Sequence, residues 1–149
     1  MKNYRDDLLY KELSYKIVGV LFNVFNELGY GYQEKYYQKA IEQSFNLARI
    51  KYKKQISFKL AYKGKIIGLY RLDFLIEDKI VLELKVGKRF AKNDFDQVKG
   101  YLQATNKNLA LLVNFTPKGV NFFRVVNLHK RIETKTANLN MIKLRKLLN

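Results

Sequence analysis

Apolar residues follow a helical spacing in the first third of the chain. Over residues 11–28 they recur every three or four positions, which predicts an amphipathic helix with one buried stripe. Gly29 and Gly31 then predict a helix stop and a turn. The same spacing over residues 33–48 predicts a second helix, with Tyr37 on its inner side.

The apolar spacing changes to two from residue 52 onward, which is typical of strands. Turns at Lys63-Gly64 and at residues 77–79 divide residues 52–86 into three strands of an antiparallel meander. The third strand, residues 80–86, is strongly apolar.

The second half of the chain predicts one helix and two more strands. Asp94 is predicted to cap a helix that runs to about Ala104, because a carboxylate can accept orphan backbone N–H bonds there. Continuous apolar residues predict a buried strand over 109–115, and a last strand is predicted over 120–128.

The predicted order is therefore ααβββαββ, an α/β (α+β) fold in which helices flank one central sheet. A helix between the third and fourth strands allows a parallel crossover, so we expect a mixed sheet. We expect one domain over residues 1–128. A basic tail follows over 129–149 and is predicted to contain a short helix near residues 141–148.

The net charge of the chain indicates what kind of partner it binds. The net charge is +16, and after Asp96 only Glu133 is acidic against ten Lys and Arg. A field of this sign attracts polyanions, and we favour nucleic acid over a membrane surface or an acidic protein. An A/T-rich genome, which favours lysine codons, is a simpler explanation of part of the excess.

Composition also excludes several kinds of chemistry. The chain has no cysteine, which excludes disulfides and thiolate zinc sites, and its single histidine, His129, excludes histidine-rich metal sites. Its N-terminus is too polar for a signal peptide, and no apolar run approaches the roughly 20 residues of a membrane helix. We expect a soluble, cytoplasmic protein with no membrane partner.

The main chemical signal is the segment RLDFLIEDKIVLELK at residues 71–85. Period two places Glu83 and Lys85 on one face of a strand, and a three-residue turn at 77–79 places Asp73 opposite Glu83. At this separation the two carboxylates repel each other unless a cation lies between them. Mg²⁺ is a suitable cation because it prefers oxygen ligands. The alternatives are a charged trio on a solvated face, or a two-residue turn that would separate the two acids.

Two further signals lie on the predicted helices. Gln97 and Tyr101 are one turn apart on one helix face and could bind a phosphate or an attacking water, although this pair taken alone favours an ordinary amphipathic helix with Tyr101 in the core. Glu34 lies near a helix N-terminus, where it is either a partner of the helix dipole or a further carboxylate of the metal site.

These motifs together resemble the GxxExxY family of the PD-(D/E)XK nuclease superfamily, and they also resemble its RecB-like branch. The matching motifs, in chain order, are G-x-x-E at 31–34, Tyr37, Y-x-G at 62–64, R-x-D at 71–73, E-L-K at 83–85, Q-x-x-x-Y at 97–101 and L-L-V-N-F at 111–115. The resemblance covers residues 14–126. It implies a restriction-endonuclease-like core.

The resemblance also implies roles for individual residues. Asp73 and Glu83 would bind the metal, with Glu34 as an auxiliary acid, and Lys85 would be the catalytic lysine. Gln97 and Tyr101 would complete the catalytic site. The chain departs from the family at Phe25, where a histidine is frequent, so that position either packs or alters the chemistry.

We therefore predict a metal-dependent nuclease that hydrolyses phosphodiester bonds, most readily in DNA, with Mg²⁺ or a substituting Mn²⁺. The basic residues that flank the site in sequence are predicted to contact the nucleic-acid backbone, namely Lys88, Arg89, Lys92 and Lys99. The alternatives are a non-catalytic nucleic-acid-binding module with the same fold and a basic interaction protein. Assembly as a homodimer is left open.

Overall fold

Residues 9–127 fold into three helices and five strands in the computed structural model, which also describes Lys143 and residues 145–147. In chain order these elements are α1 (Lys11–Leu28), α2 (Glu34–Leu47), β1 (Tyr52–Tyr62), β2 (Lys65–Ile76), β3 (Ile80–Val86), α3 (Lys92–Thr105), β4 (Leu109–Thr116) and β5 (Gly119–Val126). The order matches the predicted ααβββαββ. No helix among these residues is long and apolar enough to cross a membrane.

Part of the predicted C-terminal structure lies outside the described residues. Lys143 and residues 145–147 are helical, within the range predicted for a short helix. The end of the predicted last strand at Leu128, His129 and the basic tail over 129–142 lie outside the described residues.

The five strands form one mixed sheet in the order β1-β2-β3-β4-β5. Strands β3 and β4 are parallel because α3 carries the chain back to the end of the sheet at which β3 begins. The other neighbouring pairs are antiparallel. Ile76 pairs with Ile80, which confirms the predicted three-residue turn between β2 and β3.

Helices cover both faces of this sheet. Helices α1 and α2 pack on one face through a core that includes Ile17, Leu21 and Ile41, and α3 packs on the other through Val98 and Leu102. Strand β4 is buried along its whole length. This burial on both faces explains why its sequence is a continuous apolar run instead of an alternating one.

The turn between α1 and α2 is fixed by a buried tyrosine. Gly29 and Gly31 have φ values of 71° and 125°, in the left-handed region that glycine tolerates. The Tyr37 side chain is fully buried, and its hydroxyl donates a hydrogen bond to the Gly29 carbonyl. Tyr37 therefore belongs to the core, as its helical position predicts, and the turn it holds leads directly into Glu34 at the start of α2.

Phe25, where the GxxExxY family often has histidine, is a packing residue in this structure. Its ring lies 5.3 Å from the ring of Phe115, measured between centroids. It contributes to the core on the α1 and α2 side of the sheet.

The prediction that Asp94 is the N-cap of the third helix is wrong. Helix α3 begins three residues earlier, at Lys92, with Ala91 as the N-cap. Alanine has no side-chain acceptor, so Asp94, at the third helical position, turns back and accepts the Ala91 backbone N–H with its Oδ2 at 2.9 Å. The carboxylate still stabilises the helix N-terminus, from inside the helix.

The sheet forks between β2 and β3. These strands pair only over residues 74–76 and 80–82, whereas β1 and β2 pair along almost their full lengths. At the fork the described pairing skips Gln55 and Asp73, and Gln55 has a left-handed φ of 50°. Beyond this point residues 56–72 pair only with each other, and we call this two-stranded extension the arm.

Candidate active site

Two carboxylates occupy the fork and replace the backbone pairing that ends there. Asp73 Oδ2 accepts the backbone N–H of Leu84 at 2.8 Å, and Glu83 Oε2 accepts the backbone N–H of Asp73 at 3.3 Å. Because each acid bonds the opposite strand, Asp73 and Glu83 lie side by side at the point where β2 and β3 separate.

Burial makes this pair of charges unfavourable. Glu83 is only 4% exposed. Its burial, reinforced by the negative charge of Asp73, raises the pKa of Glu83 to about 8, although Lys85 acts in the opposite direction. Burial also raises the pKa of Asp73, against the lowering effects of the Leu84 N–H and of Lys85. The site therefore resists holding two negative charges unless a cation compensates them.

Lys85 lies on the same face as Glu83 and contacts three polar side chains. Its Nζ is 3.7 Å from Glu83 Oε1 and 3.9 Å from Asp94 Oδ1. It also donates a hydrogen bond of 3.1 Å to Gln97 Oε1. The ammonium group is thus held between the carboxylate pair and the first turns of α3.

Tyr101 orients the Gln97 amide that binds Lys85. Burial raises the pKa of Tyr101 above its usual range, so the hydroxyl keeps its proton. It donates a hydrogen bond to the Arg71 carbonyl. The Tyr101 oxygen must then act as acceptor, and Gln97 Nε2 donates to it at 2.8 Å. The amide of Gln97 therefore turns its oxygen towards Lys85.

Glu34 joins the site through a glutamine that lies one helical turn further along α2. Gln38 Nε2 donates to Glu34 Oε1 at 3.1 Å and to Asp73 Oδ1 at 3.0 Å. Burial, followed by the charge of Asp73, raises the pKa of Glu34, while Lys85 lowers it. These contacts connect the N-terminus of α2 with the fork.

A buried amide lies beside the lysine on the next strand. Asn114 pairs in register with Lys85 across the parallel β3–β4 ladder and is 1% exposed. Neither polar atom of its carboxamide has a hydrogen-bond partner among the described residues. A buried carboxamide without partners costs roughly 1–3 kcal/mol, so folding alone does not account for this asparagine.

The four basic residues predicted to contact nucleic acid are all exposed. Lys88 and Arg89 lie in the loop after β3, and Lys92 and Lys99 lie on α3. Helix α3, which carries two of them, packs on the sheet face where Lys85 bonds Gln97.

The structure brings together the six predicted site residues, namely Glu34, Asp73, Glu83, Lys85, Gln97 and Tyr101. The sequence interpretation missed the contributions of Gln38, Asp94 and Asn114. Gln38 follows Glu34 at a spacing of four, which was an available signal, and Asn114 interrupts an otherwise apolar run. The contact of Asp94 with Lys85 had no local signal.

The donor set suits a hard divalent cation. Asp73 and Glu83 supply carboxylate oxygens, the ligands that Mg²⁺ and Mn²⁺ accept, and a cation between them would relieve the repulsion that raises their pKa values. Among the described residues no group of three Asp, Glu or His side chains is placed to hold a metal ion. Glu34 as a metal ligand stays a prediction.

A forked mixed sheet with an aspartate on one strand and E-x-K on the next has the layout of a nuclease core. The chain matches the sequence model of the PD-(D/E)XK nuclease superfamily over residues 11–125, and it belongs to that superfamily. This family assignment implies a nuclease-type function, a nucleic-acid substrate and the use of divalent metal.

Two other comparisons add little to this assignment. No curated protein matches the chain. A solved structure described as "Crystal structure of SSO0001" is similar, with 17% sequence identity and a TM-score of 0.49. The similarity covers 82% of this chain and 61% of that one, so this chain spans less than two thirds of that protein's length.

Proposed function

We propose that this chain hydrolyses phosphodiester bonds in nucleic acid, with DNA as the preferred substrate and Mg²⁺ or Mn²⁺ as the cofactor. The observation that carries the proposal is the carboxylate pair at the fork, with Lys85 at 3.7 Å from Glu83. A pair of acids with raised pKa values is costly to a fold, and a metal-binding role explains its presence.

The proposed metal ligands are Asp73, Glu83 and the Leu84 carbonyl. The N–H and C=O of one residue in an extended strand point to the same edge. Because the Leu84 N–H reaches Asp73, its carbonyl faces the same opening in the sheet. A divalent ion held there would polarise the scissile phosphate and lower the pKa of an attacking water.

Lys85 is the proposed catalytic residue besides the acids. Its ammonium group would donate hydrogen bonds to the attacking water and to the phosphate oxygen on which charge develops. Gln97 and Tyr101 support it as positioning residues, since their hydrogen-bonded chain fixes where Nζ lies. Gln38 would position Asp73 in the same way, with Glu34 as the auxiliary acid.

The finer family and substrate assignments are also part of this proposal. The G-x-x-E, Tyr37 and Q-x-x-x-Y motifs support placement in the GxxExxY family, near the RecB-like nucleases. The exposed bases Lys88, Arg89, Lys92 and Lys99 are proposed backbone contacts. Residues 1–128 are the proposed nuclease domain, and the basic tail follows it over 129–149.

Cleavage by the wild type and by Lys85→Ala tests this function. Both proteins are incubated with labelled single-stranded, duplex and branched DNA and with RNA, each with Mg²⁺, Mn²⁺ or EDTA. Lys39→Ala serves as the matched control because Lys39 is an exposed lysine of α2. We expect metal-dependent cleavage by the wild type and the control, and a loss of at least about 100-fold in Lys85→Ala.

The other outcomes discriminate between the alternatives. Tight binding without cleavage by any of the proteins, with every metal, would favour the non-catalytic binding module. Neither binding nor cleavage would favour the basic interaction protein. Cleavage by Lys85→Ala at the wild-type rate would remove Lys85 from the proposed mechanism.

A further inference from the structure

The arm is a strongly basic extension beside the proposed active site. Its residues 56–72 carry four Lys and Arg and no Asp or Glu. At its outer end, large apolar side chains are also exposed, including Ile66 at 56% and Leu69 at 66%. A surface that combines uncompensated positive charge with exposed aliphatic groups is unusual for a part of the fold that only packs.

Register divides the arm into two faces. The inner face carries Ile56, Phe58 and Tyr70, which pack against the core beneath α3. The outer face carries the alternate residues, and cross-strand pairing places Lys59 opposite Leu69. Its members are Ser57, Lys59, Ala61, Ile66, Leu69 and Arg71. All of them are exposed, so this face has no packing partner among the described residues.

The outer face leads away from the carboxylate pair. Arg71 lies two residues before Asp73 on β2, and its Nη2 donates to Gln55 Oε1 at 2.6 Å at the root of the arm. A strand rises by about 3.3 Å per residue, so Lys59, opposite Leu69, lies about 13 Å along the arm from Asp73. Lys59 and Arg71 therefore both lie on the outer face within about 13 Å of Asp73 along the strand direction.

We propose that the outer face of the arm binds duplex DNA on one side of the cleavage point, with Lys59 and Arg71 on phosphates and Ile66 and Leu69 against base edges. This inference rests on the proposed nuclease function. A two-stranded β-ribbon fits the major groove of B-form DNA, whereas the major groove of duplex RNA is too narrow for protein side chains.

Charge also argues against the other occupants of such a face. A second copy would bring two arms of the same positive charge together, and the arm has no carboxylate with which to pair them. Ile66 lies seven residues from Asp73, or about 23 Å along β2. At about 3.4 Å per base pair, the arm would cover about seven base pairs of flanking duplex.

The test measures affinity in EDTA, where binding is separate from cleavage. Fluorescence anisotropy with a labelled 30-base-pair duplex, at several salt concentrations, compares the wild type with Lys59→Ala/Arg71→Ala and with Ile66→Ser/Leu69→Ser. The matched control is Lys16→Ala/Lys39→Ala, which removes two exposed lysines from α1 and α2. Thermal melting checks that every variant is folded, and single-stranded DNA and duplex RNA serve as competitors.

We expect the Lys59 and Arg71 double variant to lower affinity roughly ten-fold or more and to reduce the salt slope by about two, since each phosphate contact contributes about 0.9. The apolar pair should lower affinity without changing the slope, and the control should change affinity less than about two-fold. Losses equal to those of the control, or equal competition by duplex RNA, would overturn the inference. Arm-dependent binding by a wild type that does not cleave with Mg²⁺ or Mn²⁺ would instead count against the nuclease proposal alone.

Discussion

Replacement of Glu83 by glutamine tests whether the carboxylate pair opposes folding when no cation is present. Glutamine keeps the size of the side chain, and its oxygen can still accept the Asp73 N–H that Glu83 accepts at 3.3 Å. The change therefore removes one buried negative charge and little else. Glu83 is 4% exposed, so solvent screens this charge weakly.

The size of the effect follows from the raised pKa. Folding raises the pKa of Glu83 from 4.5 to about 8, chiefly by burial and then by Asp73. One pKa unit corresponds to about 1.4 kcal/mol, so at pH 7 the ionised group costs the fold about 3 kcal/mol. For a chain of this length that corresponds to a change of roughly 6–10 °C in Tm.

The sign of the pH dependence is fixed by the direction of the shift. Because the folded protein binds the Glu83 proton more tightly than the unfolded chain does, this contribution to stability is present below about pH 4.5. It is lost as the pH rises through about 8. In EDTA, Glu83→Gln should therefore melt slightly above the wild type at pH 5.5, where about 1.4 kcal/mol is already lost, and well above it at pH 8.5.

The assay is thermal melting in EDTA from pH 5.5 to pH 8.5, repeated with Mg²⁺. Mg²⁺ should raise the Tm of the wild type increasingly as the pH rises, and it should raise that of the variant much less. Glu27→Gln is the control, because Glu27 is an exposed carboxylate of α1. On a chain of net charge +16 the loss of an exposed acid should, if anything, lower stability. A Tm difference for Glu83→Gln that does not vary with pH would refute the reasoning.

Three further substitutions test other contacts of the site. Gln38→Leu removes a hydrogen bond that lowers the pKa of Asp73, so the acidic limb of the pH–rate profile should move to higher pH; an unchanged limb, as expected for the exposed Gln43→Leu, would contradict this role. Asn114→Leu removes two buried polar atoms without partners and should raise the free energy of unfolding by about 1–3 kcal/mol in denaturant titrations while lowering cleavage; a loss of stability would show that the amide has a structural partner. Gly100→Ala places a methyl group 3.1 Å from the Tyr70 ring and should cost about 1–3 kcal/mol and reduce cleavage, whereas Gly19→Ala, with open space around it, should be neutral or stabilising by up to about 1 kcal/mol.

The sequence predicted the parts of the fold that depend on local spacing. Three residues between the apolar runs of β2 and β3 were enough to pair Ile76 with Ile80 and so to bring Asp73 near Glu83. The helical stripes, the parallel crossover and the turn at Gly29 were also readable, because each depends on periodicity or on glycine.

The contacts that complete the site were not readable, because they join residues that are distant in sequence. The Gln38 amide reaches Asp73 across 35 positions. The shift of the α3 start to Lys92, which brings Asp94 within 3.9 Å of Lys85, depends on how the helix packs, since Ala91 gives no capping signal. Tertiary packing decided these details, and local propensity did not.

The fork depends on a backbone conformation that no pattern in the sequence predicts. Gln55 adopts a left-handed φ of 50°, which costs a non-glycine residue roughly 1–2 kcal/mol, and nothing in the surrounding alternation of β1 predicts it. If β2 and β3 stayed paired past Phe74, the Leu84 N–H would bond the neighbouring backbone and Asp73 would have no acceptor role there. The loss of pairing and the gathering of the two carboxylates are thus one structural feature. The strain at Gln55 is stored where the same bend both opens the proposed metal site and directs the basic arm away from the sheet.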